Sequence, residues 1–233
     1  MAGKGGVGRT TVAAALAARA AAAGKRVLAV DAIGTGDLGR LVDASPELAS
    51  FEVLRLTTGE ALDQYLRIYL RLPIGPRRLG PLTRIFDYVS AAAPGVREIL
   101  VIGKIGWEVR SGEWDEIVVD GPATGHVVEL LDAPRTMAEL VPTGPLADQT
   151  GWLREIMASP RTGVVVVSSP DELSVSETGE LVDRLRAETE TDVRLMVANR
   201  VPPSIDPAGR DEASGLVTAG GTVGRLAELA LDR

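Results

Sequence analysis

The chain has 233 residues, 45% of them hydrophobic, which is enough for one sizeable α/β core, so a single domain over residues 1–233 is expected. The net charge is −7 and the basic residues are scattered, with Arg77-Arg78 the densest short spot; this argues against a nucleic-acid footprint. Cysteine is absent, which excludes a disulfide framework, a thiolate zinc site and a soft-metal cage, and suits a reducing cytoplasm.

The first informative stretch is Gly3-Lys4-Gly5-Gly6-Val7-Gly8-Arg9-Thr10-Thr11. It fits the phosphate-loop pattern G-x-x-x-x-G-K-[ST], except that Arg9 stands where lysine belongs. Glycines without Cβ atoms let successive amides turn inward around a phosphate. The helix expected over Thr10–Ala23 aims its positive end at the same anion. The Thr10 hydroxyl is then placed to bind Mg²⁺ directly. Guanidinium is planar and fixed in its donor directions where ammonium is compact, so Arg9 is expected to slow or silence hydrolysis unless the loop has adjusted around it.

A phosphate loop normally follows a buried strand, yet only Met1 and Ala2 precede Gly3; the expectation is a fold lacking that strand, and short at the C-terminus as well. The apolar run Thr11–Ala23 is mostly alanine and is interrupted by Arg19. It reads as a soluble helix, and with no spanning segment or leader in view no direct membrane insertion is expected.

Farther along, apolar β-branched runs at Arg26–Val30, Glu116–Val119, Gly163–Val167 and Arg194–Ala198 read as buried strands. Stretches with helical spacing lie at Gly59–Arg71, Gly95–Arg110, Asp171–Ala187 and Thr222–Leu231. The alternation predicts an α/β fold: a mostly parallel sheet with helices on both faces. Asp31 ends the first strand, ahead of Ala32-Ile33-Gly34-Thr35-Gly36-Asp37. Asp120 ends the second, ahead of Gly121-Pro122-Ala123-Thr124-Gly125-His126, with a helix expected from near Val127. A carboxylate in Asp120's place can hold Mg²⁺ through a water, and glycines beyond it leave the loop free to move. Asn199 follows the last strand.

Lys4 is not asked for by an ordinary phosphate loop, and G-K-G-G-V-G-x-T-T resembles the deviant Walker A loop of the ArsA/GET family and its septum, partition and nitrogenase-iron-protein cousins. Asp120–His126 is similar to the D-T-A-P-T-G-H signature of ArsA and the tail-anchored-protein targeting ATPases, with the proline displaced by one position. Ser169–Thr178 resembles their P-E-x-L-S-x-x-E-T helix start. The resemblance implies an ATP-binding, Mg²⁺-dependent, hydrolysing dimer, homomeric or paired with a paralogue, whose nucleotide state drives a conformational change acting on a protein client. It implies nucleotide contacts from Gly3, Lys4, Gly5, Gly6, Val7, Gly8, Arg9, Thr10, Thr11 and, at the base, Asn199. Lys4 would cross to the partner's nucleotide, and Asp31, ahead of Asp37, would orient or deprotonate the attacking water. Asp120, Gly125 and His126 would form a switch. The family's D-P-A-H run after Asp31 is absent.

Missing thiolates speak against arsenite transport and against a dimer-closing zinc site. The apolar positions Leu62, Leu66, Tyr69, Leu70, Ile85 and Phe86 read first as ordinary core and second as a client surface. Two other functions stay open: a nucleotide-binding regulatory subunit without turnover, favoured by Arg9, and a partition or septum ATPase, opposed by the acidic balance.

Overall fold

In a computed structural model, residues 1–45, 50–57, 96–140, 143, 145–202, 207–221, 225 and 228 are described. The expected helix over 59–71, Arg77-Arg78, the six apolar positions from Leu62 to Phe86, and most of the expected helix over 222–231 lie outside them. The chain divides into two units, Met1–Asn199 and Arg200–Arg233.

The first unit alternates strands and helices, save that two helices in succession follow its third strand. Helix α1 (Arg9–Ala22) is followed by β1 (Val27–Asp31), the short α2 (Asp37–Asp43) and β2 (Glu52–Arg55). Next come α3 (Val96–Ser111), β3 (Glu116–Asp120), α4 (Thr124–Leu140) and α5 (Pro145–Met157). Strand β4 (Val164–Ser168), α6 (Glu172–Glu188) and β5 (Val193–Ala198) complete it, and the second unit holds α7 (Pro207–Ala219). The strands pair in parallel as β2-β1-β3 and β4-β5.

Residues Met1 and Ala2 lie between the two sheets. The Gly121 amide donates to the Met1 carbonyl, the Ala2 amide donates to Val165, and the Val167 amide donates to Ala2. The phosphate loop therefore leaves from between β3 and β4, at the carboxyl ends of their strands.

Side-chain alternation in β1 explains the layering. Val27 and Ala29 pack with Ala13, Ala14, Ala17 and Leu38 of α1 and α2; Leu28 and Val30 pack with residues of α3, α4 and α5. Every β1 residue is buried, as a strand covered on both faces requires. The alanine stripe of α1 lets that helix sit close to the sheet under the phosphate loop. A third core joins Ala2, Val164 and Val166 to Val127 and Val128 of α4 and Leu181, Val182 and Leu185 of α6.

Several features depart from the periodicity reading: α5 and α7 lie where no helical stretch was expected, and β5, expected as a buried strand, is largely exposed, Leu195 and Met196 included. Strand β2 was missed because it begins and ends on charged, exposed residues and offers no apolar run. Helix α2 is too short to show a period. Helix α4 starts at Thr124 rather than near Val127 and runs through Pro134, whose side chain is fully buried; tertiary packing overrides a local helix breaker there. Among the described residues, no helix is long and apolar enough to cross a membrane.

Candidate functional site

The loop's conformation is one that side chains resist. Gly3, Gly6 and Gly8 have φ of 144°, 83° and 92°. Gly8 caps the start of α1, and no side chain there bonds the helix's first amides, which leaves them for an anion. A Cβ on Gly8 would come within 2.3 Å of the Asn199 amide nitrogen, the atom that donates to the Val7 carbonyl at 2.8 Å. Gly8→Ala is therefore expected to break the Val7–Asn199 bond as well as strain α1's cap, weakening Mg-nucleotide binding by about tenfold. Calorimetric titration of the variant checks this, and an unchanged affinity would refute it.

Below the loop, the parallel register sets Asp31 beside Asp120 at the ends of β1 and β3. Both are almost wholly buried. The Thr10 hydroxyl donates to Asp120 Oδ2 at 2.6 Å, while Asp120 Oδ1 is buried with no hydrogen-bond partner. Burial pushes the Asp120 carboxyl above its ordinary value; the Thr10 hydrogen bond, Arg9 and the N-terminal ammonium oppose the rise, and Asp31 adds to it. An orphaned, desolvated carboxylate oxygen next to a threonine hydroxyl fits a divalent cation, which would supply the missing partner. Thr10 and Asp120 are the residues that would hold it.

Asp31 is engaged differently. Its Oδ1 accepts from the amides of Ile33 (3.2 Å) and Gly34 (2.8 Å), and its Oδ2 from the amide of Gly36 (2.7 Å). Gly34 and Gly36 take φ of 76° and 80° to make this possible. The carboxylate thus folds residues 33–36 around itself, an anchoring role legible in an aspartate followed by paired glycines. Asp37 lies on the first turn of α2, paired with Arg40.

Arg9 does not point freely into the loop. Its Nη1 donates to the carbonyl of Gly121, the first residue beyond β3, at 2.5 Å, and burial pulls the guanidinium below its ordinary value while Asp120 opposes that. Lys4 Nζ lies 3.1 Å from Glu177 Oε1 on α6. Neither partner was anticipated, because nothing in local spacing ties the loop to residues so distant in sequence.

The site thus brings together Gly3–Thr11, Asp31, Asp120, Gly121 and Asn199. His126 stands on the first turn of α4, largely exposed, with Nδ1 3.0 Å from Glu129 Oε2. Gly125 precedes it in the same turn. The helix start at Asp171 is a true cap: its side chain accepts from the Ser174 amide at 2.9 Å. Hydrogen bonds from the Ser169 hydroxyl, then from Ser174, hold its carboxyl well below the usual range.

Residues 1–212 match the family model described as the CobQ/CobB/MinD/ParA nucleotide binding domain. The ATPase BagA of Mycobacterium tuberculosis is 30% identical over 94% of this chain and 72% of its own length. A putative arsenical pump-driving ATPase 2 of Aquifex aeolicus is 26% identical over 60% of this chain and 50% of its own. ATPase get3 of Schizosaccharomyces japonicus is 28% identical over 58% of this chain and 43% of its own.

Proposed function

We propose, since this chain belongs to the CobQ/CobB/MinD/ParA nucleotide-binding domain family and resembles its ArsA/GET-type ATPases, that it binds Mg-ATP and hydrolyses it as a dimer. The observation that carries this reading is the pairing of Thr10 with a buried Asp120 whose second oxygen lacks a partner, beneath a glycine loop that opens a helix.

In this reading the α1 amides and the loop glycines bind the phosphates, and Asn199 meets the adenine edge while steadying Val7. A divalent cation at Thr10 and Asp120 would neutralise charge developing on the phosphoryl oxygens. Asp31 orients the attacking water, which requires it to trade one of its three amide partners for that water. The segment from Gly121 to His126 and the head of α4 carry the nucleotide state outward to a protein client or partner, and Lys4 reaches the partner's nucleotide.

Calorimetric titration with Mg-ATP and Mg-ADP, repeated after chelation of Mg²⁺, tests the reading. Uptake that weakens on chelation is expected; no uptake of either nucleotide would overturn it. A second reading, a nucleotide-binding regulatory subunit without turnover, draws on one observation, the hold of Arg9 on the Gly121 carbonyl.

A further inference from the structure

Lys4 leaves the phosphate loop directly after Gly3, and Gly3 is pressed against β4. A Cβ there would lie 2.2 Å from the Val167 carbonyl oxygen. The chain rises at that point beside α6, the helix that follows β4. Glu177 stands in the second turn of α6, between residues that fix that face: Ser174 and Thr178 are buried, and Asp171 caps the helix start. A firmly mounted carboxylate therefore faces the loop's flexible cation at 3.1 Å. In an anion-binding loop, a carboxylate on the lysine occupies the place of a phosphate oxygen.

We propose that Glu177 is an internal competitor for the nucleotide: in the nucleotide-free chain it holds Lys4, and the phosphate that Lys4 reaches, the one bound to the partner in the reading above, has to displace it, freeing Lys4 and the start of α6 together. The proposal rests on the nucleotide-binding reading above and goes beyond it by naming a positioning residue and its element. Lys4 and Glu177 retain 28% and 35% side-chain exposure, so water and salt screen the pair and its competition is worth about a two- to fivefold change in affinity.

A double-mutant cycle on the full chain reads this directly. Wild type, Glu177→Gln, Lys4→Ala and the double variant are titrated with Mg-ATP, thermal unfolding confirming that each is folded. Glu177→Gln is expected to tighten binding about two- to fivefold when Lys4 is present and to change nothing when Lys4 is alanine. Equal affinity in both backgrounds, or a gain that persists without Lys4, overturns the proposal. Acylation of Lys4 in the nucleotide-free chain, followed by peptide mass analysis, gives a readout independent of the nucleotide. It should run about two- to fivefold faster in Glu177→Gln by the same measure, and an unchanged rate also overturns the proposal. Failure of wild type to take up Mg-ATP, with Lys4 acylation accelerated as expected, would instead strike the nucleotide-binding reading while leaving the ion pair itself in place.

Discussion

Arg9→Lys is expected to raise phosphate release about a hundredfold while leaving Mg-ATP affinity within a few-fold of wild type. Arg9 donates to the Gly121 carbonyl, and its plane and donor directions are spent on that bond. A lysine keeps the positive charge beside Asp120, gives up the directed bond and lets an ammonium follow the phosphate oxygens. Release of the Gly121 carbonyl also loosens the segment running to α4, the part of the chain assigned to sensing nucleotide. Single-turnover and steady-state phosphate release, measured with calorimetric affinities, separate the two effects. Such a rise in rate at level affinity would show that Arg9 restrains hydrolysis, and it would favour the regulatory-subunit reading of the natural chain only if wild-type turnover stood at background. Lower turnover in the lysine variant would show a loop adjusted to arginine, and would sink the idea that Arg9 restrains hydrolysis.

Asp120→Asn should act in opposite directions on stability and on activity. Burial, the dominant influence on this carboxyl, raises it above its ordinary value of 3.8. The folded chain then holds the proton more tightly than the unfolded chain. The corresponding stability is present below the unfolded value and is lost as pH rises through the folded one, so at neutral pH the ionised group costs stability. Asparagine removes that charge and can still accept from Thr10. The thermal midpoint of the nucleotide-free protein should rise by about 2–4 °C at neutral pH, corresponding to about 1 kcal/mol, and the gain should shrink as pH falls into the carboxylate range. Mg²⁺-dependent phosphate release should fall by about a hundredfold or more, since the cation's acidic partner is gone. A lowered midpoint together with intact hydrolysis would remove Asp120 from the metal site.

Much of this was readable from residue order alone. The glycine loop, the alanine-rich helix after it, the positions of the apolar strands and the two aspartates that end β1 and β3 all announce themselves through local spacing, since positive φ admits little but glycine and strands inside a sheet are largely apolar; the burial expected of β5 is not found. The cap at Asp171 is likewise a local signal. Strand β2 and the path of α4 through Pro134 were not legible, because an exposed edge carries no apolar run and a buried proline obeys its neighbours rather than its own propensity.

At the site, residue types and their place on the loop were set by the sequence, whereas the company each one keeps was settled by the tertiary fold. Parallel register lays Asp31 beside Asp120, the turn around Gly34 and Gly36 occupies the Asp31 carboxylate, and strand order brings Gly121, Glu177 and Asn199 to Arg9, Lys4 and Val7. Apart from the turn around Asp31, which is local, these partners lie too far away in sequence for any spacing rule to join them. Only the packing of strands and helices fixes which charge meets which, and that choice decides which side chains must let go before a phosphate can enter.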